Sequence, residues 1–242
     1  MKTHRFFVTP DQLDRDIVRF SPAQAHQLRS VLRLRPGDVV RVFDGLAPVD
    51  RVVELVSAGQ GTIVGTQPQP AEPRTRLVVY PALLQRDKFE AVLQKLTELG
   101  AAAIAPVITA RSLVREPPDQ RRLERWRAIL CEAAEQCGRG VVPTLLPGQM
   151  FSTAIDSAEG VVIVAYERER HRQLRDALRP LPTTVAMFVG PEGGFAPEEA
   201  ACAERAGAHL VTLGPRVLRT ETASPVLAAL VLYELGDLSS DG

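Results

Sequence analysis

Residues 211–229, VTLGPRVLRTETASPVLAA, form the segment around which the rest of the chain is predicted to be arranged. A short apolar strand, 209–213, leads through a Gly-Pro turn into the polar group RTET (219–222), and an apolar helix follows. Open α/β sheets bind their ligands outside the carboxyl ends of their strands, where polar loops of this kind lie. The segment therefore predicts a ligand site between a strand and a helix.

A second strand ends in a similar loop earlier in the chain. TTVAMFVG (183–190) continues into PEGGF (191–195), and a helix is predicted to begin at Pro197. Glycines let the backbone approach a ligand closely, and a helix N-terminus offers free N–H groups. We expect the two loops to lie side by side. A tight turn without a chemical role explains the glycines equally well, and Arg219 with Glu221 is also compatible with a surface ion pair.

The composition is that of a globular protein. The chain has 242 residues, 45% hydrophobic and 24% charged, which suits one large or two modest domains. No charged and then apolar leader opens the sequence, and no apolar run approaches the roughly 18 residues of a membrane span, so we expect a cytoplasmic protein. Cys131, Cys137 and Cys202 show neither CxxC spacing nor a neighbouring His cluster, so we expect plain buried thiols without disulfides or zinc.

The first seventy residues are predicted to be short strands around one helix. The strands are expected at 4–8, 39–43, 49–56 and 62–64, with glycine-containing turns typical of a small β-barrel. Ser21 and Pro22 suit the N-cap and first position of a helix that continues to about Leu34. Residues 67–74, QPQPAEPR, are predicted to be a linker.

One face of that helix carries basic residues. The formal net charge is zero, so a nucleic-acid partner would have to meet a local basic patch. His26, Arg29 and Arg33 recur at i, i+3 and i+7 and share a face that could hold phosphates, with Arg35 and Arg41 just beyond. A solvated helix face explains the spacing equally well.

Beyond the linker, strands alternate with helices, which favours a mostly parallel sheet covered on both faces. Strands are expected at 77–80, 103–107, 161–166, 185–189 and 209–213, and helices at 88–99, 120–137 and 226–235. On the second helix Glu132, Gln136 and Arg139 share a polar side. This side could have a functional role or could simply face solvent. Neither GxGxxG nor GxxxxGK[ST] is present, which weakens a dinucleotide or ATP site. The residues alone thus predict an α/β enzyme with a small barrel.

The order of several motifs resembles one known family. GPEGGF (190–195) and LGPRVLRTETA (213–223) are its most specific features, and earlier segments fit as well: HRFFV (4–8), AHQLRSVLRLRPGDVVRVFDG (25–45), QKLTELGAAAIAPV (94–107), and RWRAILCEAAEQCGR (125–139) with VVP (141–143). Together they resemble the RsmE family of 16S rRNA uridine-N3 methyltransferases, of the SPOUT or α/β-knot superfamily. The resemblance covers nearly the whole chain. One departure is Ser224-Pro225, where the family usually has small apolar residues, which affects the expected helix cap.

The resemblance implies a fold and a cofactor. Residues 1–71 are expected to form a PUA-like β-barrel RNA-binding domain, and residues 72–242 a SPOUT trefoil-knot methyltransferase domain. S-adenosyl-L-methionine is expected to lie bent in the knot, held largely by backbone groups. By position, the residues that would bind it are Ala165, Tyr166, Glu167, Gly190, Pro191, Glu192, Gly193, Gly194, Leu213, Gly214, Leu218, Thr220, Thr222 and Ala223. Such proteins are homodimers whose active sites are completed at the subunit interface.

The implied activity is methylation of N3 of a specific uridine in the decoding region of 16S rRNA of the small ribosomal subunit. A carboxylate near N3 could take its proton, and a cation could stabilise the charge on the base, so Glu221 and Arg219 are the predicted catalytic pair. The base must be unpaired, because N3 lies on its Watson–Crick edge. No metal is needed. The residues predicted to contact RNA are Arg5, His26, Arg29, Arg33, Gln136 and Arg139.

Two other functions remain open from the sequence. The chain could be an α/β enzyme that acts on a phosphorylated metabolite through the Gly193-Gly194 loop, or a non-catalytic RNA-binding module with a methyltransferase shell. Tight S-adenosylmethionine binding without ATP binding would exclude the first. Turnover on ribosomal RNA would exclude the second.

Overall fold

A computed structural model describes residues 4–47, 49–70 and 72–239. The chain forms two compact units. One combines the N-terminal segment up to Glu72 with Ala134–Val142, and the other combines Pro73–Ala133 with the segment from Pro143 onward. Ala71, the last residue of the predicted first domain, lies outside the described residues.

The first unit is built on a six-stranded sheet. Its strands are β1 (Arg5–Phe7), β2 (Leu13–Asp14), β3 (Ile17–Arg19), β4 (Val39–Phe43), β5 (Val49–Ser57) and β6 (Gln60–Pro68). They lie in the order β1-β4-β5-β6-β3-β2; β1 pairs with β4 in parallel, and the other neighbours are antiparallel. The predicted strands are confirmed, whereas β2 and β3 were not predicted.

Strand β6 is longer than its sequence pattern predicts. It pairs with β5 from Ser57↔Gln60 to Val49↔Pro68, so Gln67 and Pro68 belong to a strand and not to a linker. Because pairing depends on the partner backbone, polar residues with no alternation can extend a strand. The linker prediction is therefore wrong for these two residues. One face of the sheet buries a core that includes Val40, Val42 and Val53.

Helix α1 (Pro22–His26) begins as predicted. The Oγ atom of Ser21 accepts a hydrogen bond from the backbone N–H of Gln24 at 3.3 Å, and Oε1 of Gln24 accepts one from the N–H of Ser21 at 2.9 Å. This capping box, with proline at the first helical position, satisfies N–H groups that the first turn leaves free. The predicted N-terminus is thus confirmed.

The end of this helix differs from the prediction. Gln27–Val31 widens into a π-helical turn, and the N–H of Leu34 bonds to the carbonyl of Leu28, which closes the turn. Arg33 has a φ of 58° and lies beyond the helix. The expected continuation to about Leu34 is therefore wrong, and Arg33 does not extend the helical face of His26 and Arg29.

The second unit contains a parallel sheet, as predicted. Its strands are β7 (Arg76–Pro81), β8 (Ala103–Ile104), β10 (Thr144–Leu145), β12 (Val161–Ala165), β13 (Thr184–Val189) and β14 (His209–Val211), in the order β10-β8-β7-β13-β12-β14. All neighbours are parallel. The strand expected at 103–107 is instead divided: β9 (Val107–Ile108) leaves the main sheet and pairs with β11 (Gln149–Met150).

In the part of the chain that the structure describes, six helices accompany these strands. They are α2 (Arg86–Leu99), α3 (Gln120–Cys137), α4 (Phe151–Ser157), α5 (Leu174–Ala177), α6 (Pro197–Arg205) and α7 (Thr220–Glu234). Helix α2 ends at Gly100, whose φ of 110° is the left-handed cap that the sequence predicts. One sheet face packs on α4 and α6 through Tyr80, Phe188 and Phe151, while α7 contacts β7, β13 and α2.

Helix α7 begins six residues earlier than the expected 226–235. Ser224 is not a cap but a fully buried residue inside the helix, where its hydroxyl donates to the carbonyl of Thr220 at 3.0 Å. Pro225 is the sixth residue of the helix and lies inside it, so it offers no N–H to the carbonyl of Glu221 four residues earlier. Arg219 and Glu221 are therefore the N-cap and a first-turn residue, and not members of a free loop.

The cysteines are free thiols, as expected, but Cys131, Cys137 and Cys202 are only partly buried. The expectation of buried thiols is therefore met only in part. Within the described ranges, no helix is both long enough and apolar enough to cross a membrane.

Candidate functional site

A cavity of about 830 Å³, counting the space at its open mouth, lies at the carboxyl ends of three neighbouring strands. Ala165 at the end of β12 is in register with Val189 at the end of β13 and with Val211 at the end of β14. The three following loops therefore start at the same level of the sheet. This is where open parallel sheets bind their ligands.

The structure brings together nearly all residues that were predicted to bind a cofactor. Thirteen of them line the cavity: Ala165, Tyr166, Glu167, Gly190, Pro191, Glu192, Gly193, Gly194, Leu213, Gly214, Leu218, Thr220 and Ala223. Thr222 does not line it and is exposed. The cavity is also lined by residues that were not predicted: Arg170, Val189, Thr212, Arg216 and Val217. Arg170 and Arg216 come shortly after predicted strands, and this position in the sequence could have identified them as residues of the site.

The glycine loop after β13 is held from two sides. The side chain of Arg111 donates to the carbonyl of Gly193 at 2.8 Å, and Nζ of Lys88 lies 3.1 Å from Oε1 of Glu192. Gly194 has a φ of 66°, and a Cβ atom there would lie 2.5 Å from Oε1 of Glu167. The positive φ favours glycine at this position, and any side chain here would also displace the carboxylate of Glu167.

Helix α7 is attached to the same loop. The hydroxyl of Thr220, which is buried, donates to the carbonyl oxygen of Gly190 at 2.9 Å. This bond joins the first turn of α7 to the end of β13. Two segments distant in sequence thereby become adjacent walls of one cavity.

Arg219 and Glu221 lie beside the cavity but do not line it. Nη1 of Arg219 is 4.0 Å from Oε1 of Glu221, and their side chains are 81% and 24% exposed. Oε2 of Glu221 is buried and has no hydrogen-bond partner among the described residues. Buried polar atoms normally have partners, so an unpaired carboxylate oxygen next to a cavity is suited to accept a proton or hydrogen bond from a ligand.

The loop after β12 is ordered by its own acidic residue. The backbone N–H groups of His171, Arg172 and Arg170 donate to Oε1 of Glu169 and hold the pKa of this carboxyl below its ordinary value. The N–H of Thr212, after β14, also donates to the carbonyl of Arg172 at 3.1 Å. Two of the loops around the cavity are thus bonded to each other.

The residues predicted to contact RNA fall into two groups. His26, Arg29, Arg33 and Gln136 are exposed. Arg5 is buried: its guanidinium makes two 2.7 Å bonds to Asp50 and stacks 3.7 Å from the ring centroid of Phe43. It has no exposed face for a phosphate, so it is not part of the RNA surface proposed below.

Arg139 is also buried and held by a carboxylate. It follows Gly138, whose φ of 89° lies beyond the end of α3, so it does not share a helical face with Glu132 and Gln136 as expected. Its Nε and Nη2 atoms lie 2.9 and 2.7 Å from Oε2 of Glu72. The expected helical alignment is wrong, and Arg139 is likewise left out of the proposed RNA surface.

Metal ligands do not gather around the cavity. Across residues 4–47, 49–70 and 72–239, no group of three or more His, Cys, Asp or Glu side chains could hold a metal ion.

Comparison with known proteins shows what the chain resembles. Residues 71–232 match the family described as RNA methyltransferase domain. A ribosomal RNA small subunit methyltransferase E from Synechocystis is 32% identical over 234 residues, covering 94% of this chain and 77% of that protein.

Two solved structures extend the similarity. The crystal structure of a ribosomal RNA small subunit methyltransferase E from Neisseria gonorrhoeae, bound to S-adenosyl methionine, is 31% identical, with a TM-score of 0.85 over 96% of this chain and 97% of that one. A protein from Legionella pneumophila, in complex with the bound cofactor SAM, is 28% identical, with a TM-score of 0.83 over 96% and 98% of the two chains.

Proposed function

Since the chain belongs to the ribosomal RNA small subunit methyltransferase E family of RNA methyltransferases, we propose that it methylates N3 of a specific uridine in the decoding region of 16S rRNA. The methyl donor in this proposal is S-adenosyl-L-methionine. The observation that carries the proposal is the buried, unpaired Oε2 of Glu221 beside the cavity at the carboxyl ends of the strands.

The lining of the cavity fits the donor. Backbone groups at Gly193 and Gly194 are accessible because these residues lack side chains, and they would contact the donor closely. The carboxylates of Glu167 and Glu192 line the same cavity and suit the positive charges of an ammonium and a sulfonium group. When bound, the donor supplies an activated methyl group for in-line transfer to a nucleophile.

Glu221 would act on the acceptor. Uridine N3 becomes nucleophilic only when its proton leaves, and the free Oε2 of Glu221 would accept that proton as the N3–CH₃ bond forms. Glu221 directly follows Thr220, which lines the cavity, so a base placed at Glu221 would lie next to the donor. The carboxyl then carries the proton and releases it to water.

Arg219 would stabilise the charge on the uracil ring. Loss of the N3 proton spreads negative charge onto O2 and O4, and a guanidinium can donate two parallel hydrogen bonds to such a group. The side chain of Arg219 is largely exposed and its contact with Glu221 is a long 4.0 Å, so it is available to an incoming base.

The finer features of the fold belong to this proposal. We propose that residues 1–71 form a PUA-like barrel that binds RNA and that residues 72–242 form a SPOUT domain with a trefoil knot. The six-stranded sheet of the first unit supports the barrel, and the parallel sheet with three converging loops supports the SPOUT domain. In this proposal RNA contacts His26, Arg29, Arg33 and Gln136, which are exposed.

We also propose a homodimer with each active site completed at the subunit interface. Support comes from α7, an apolar helix on which the large side chains of Leu230 and Tyr233 are exposed. An exposed apolar stripe of this kind favours association. Sedimentation at micromolar concentration would detect the dimer, and an active monomer would refute this part of the proposal.

Product analysis tests the reaction. Small ribosomal subunits lacking the modification are incubated with the protein and labelled donor, and the modified nucleoside is identified by mass spectrometry. We expect 3-methyluridine at one position of 16S rRNA. A different methylated nucleoside would refute the N3 assignment. Donor binding without any turnover would favour a non-catalytic RNA-binding module. Binding of ATP in place of the donor would favour an enzyme that acts on a phosphorylated metabolite.

A further inference from the structure

Two exposed arginines lie at the mouth of the cavity on loops from different strands. Arg170 follows β12 and Arg216 follows β14, and both line the cavity. We propose that Arg170 and Arg216 together form a phosphate-binding site that holds the RNA backbone next to the target nucleotide. This inference rests on the proposed function, because it assumes that an RNA base enters this cavity.

The charges around the cavity show which arginines are available. Arg172 pairs with Glu204 at 3.2 Å, Arg175 pairs with Glu234 at 3.4 Å, and Arg111 donates to the carbonyl of Gly193. By contrast, the side chains of Arg170 and Arg216 make no hydrogen bond or ion pair to any residue in the described ranges. Their charge is therefore free to bind an anion from outside.

The backbone around both arginines is held in place. Glu169 accepts three backbone N–H bonds and fixes the turn that contains Arg170. Thr212 bonds through its N–H to the carbonyl of Arg172 and through its hydroxyl to the N–H of Gly214, at 3.1 and 3.2 Å. One residue thus connects the two loops, so the backbone segments that carry the arginines are held relative to each other. Such preorganisation lowers the entropic cost of binding.

Phosphate is the anion that this arrangement fits best. Guanidinium groups bind phosphate with two parallel hydrogen bonds, and the formal net charge of the whole chain is zero, so attraction for RNA has to come from local groups. A base that reaches the donor beside Glu221 would leave its ribose and phosphates at the mouth of the cavity, where both arginines are exposed. The carboxylate of the methyl donor is the other anion that could reach them, and the experiment separates the two.

The test compares Arg170→Gln, Arg216→Gln and the double variant with the unaltered protein. Binding of a single-stranded oligouridine of about ten nucleotides is measured across KCl concentrations, and donor affinity is measured by calorimetry. We expect each substitution to weaken RNA binding roughly ten-fold at low salt and to make the salt slope shallower by about 0.7. Donor affinity should fall by much less than RNA affinity.

Arg168→Gln is the matched control, because Arg168 is exposed on the same loop but does not line the cavity. It should keep the unaltered slope. An equal loss of RNA affinity in Arg168→Gln would mean that RNA responds to the general positive charge of the loop, and this result would overturn the proposed site. A loss of donor affinity with unchanged RNA binding would assign the arginines to the donor carboxylate and also overturn it. These binding measurements involve no turnover. A negative result for the phosphate site can therefore be distinguished from a failure of the protein to form 3-methyluridine.

Discussion

The hydroxyl of Thr220 donates a 2.9 Å hydrogen bond to the carbonyl oxygen of Gly190, and this single bond joins the start of α7 to the end of β13. Both residues are buried and both line the cavity. The bond therefore couples the stability of the fold to the shape of the site.

Removal of this hydroxyl should affect both properties. Thr220→Val keeps the side-chain shape but leaves the carbonyl of Gly190 without this donor, which should lower the free energy of unfolding by about 1–3 kcal/mol. Donor affinity should fall at the same time, because two walls of the cavity separate. Thr220→Ser restores the donor and should recover most of both losses. Denaturant unfolding and calorimetry measure them, and equal behaviour of the Val and Ser variants would contradict the assignment.

The glycine loop should not tolerate a side chain at Gly194. In Gly194→Ala the new Cβ atom would lie 2.5 Å from Oε1 of Glu167, so this carboxylate must leave its place in the cavity wall, and donor affinity should fall roughly ten-fold. Gly207→Ala is a matched control: its φ is 85°, but nothing lies within 4 Å of the added atom. Calorimetry on both variants separates crowding from backbone strain. Unchanged donor affinity in Gly194→Ala would remove the loop from the site.

Glu221→Gln tests the general base. The variant keeps the shape of the side chain and should keep donor affinity, but methylation should slow by roughly 10² to 10⁴. The loss should shrink as pH rises, because hydroxide can then take the N3 proton. Arg219→Lys should slow the reaction with little change in the pH profile, since it keeps the charge and loses the two parallel donors. Single-turnover rates across pH measure both. A near-normal rate in both variants, with a lower melting temperature, would indicate a structural ion pair.

The exposed basic residues of the first unit should set the salt dependence of RNA binding. Arg29→Gln and Arg33→Gln should each make the slope of log affinity against log salt shallower by about 0.7 to 0.9, without a change in donor affinity. Arg15→Gln is the control for Arg33, because both are exposed arginines with positive φ, 54° and 58°. Binding titrations across salt concentrations measure the slopes. Equal slopes for all three variants would place the RNA elsewhere.

Stability should depend on pH through Asp237. Burial raises the pKa of this carboxyl, but hydrogen bonds from Thr75 and Arg74 outweigh burial and leave its pKa lowered. A lowered pKa in the folded state stabilises the fold above the unfolded value of about 4, and the contribution is lost as pH falls through the folded pKa. Asp237→Asn should therefore lower the free energy of unfolding by about 1–3 kcal/mol at neutral pH and by little at pH 2. Asp156→Asn, an exposed control, should show no such trend.

Local pattern was sufficient to predict much of the fold. The parallel strands, the N-cap at Ser21 and the left-handed cap at Gly100 all depend on residues within one or two turns, where alternation and capping chemistry operate. Two loops of the cavity were predictable because polar residues follow strands there, whereas the individual cofactor-binding residues were implied by the family resemblance. Their proximity depends on register, since Ala165 is level with Val189 and Val211 only in the assembled sheet.

What the sequence by itself determined is the order of elements and the chemistry of the loops. Only the tertiary structure decided which charged groups are free. Arg5 and Arg139 look like RNA-binding residues in the sequence, but both are buried and paired. Arg5 pairs with Asp50, 45 residues away, and Arg139 pairs with Glu72, 67 residues away. Arg170 and Arg216 have no such partner in the described part of the chain and remain at the mouth of the cavity. Pairing of charges is a long-range contact, and spacing along the chain carries no information about it.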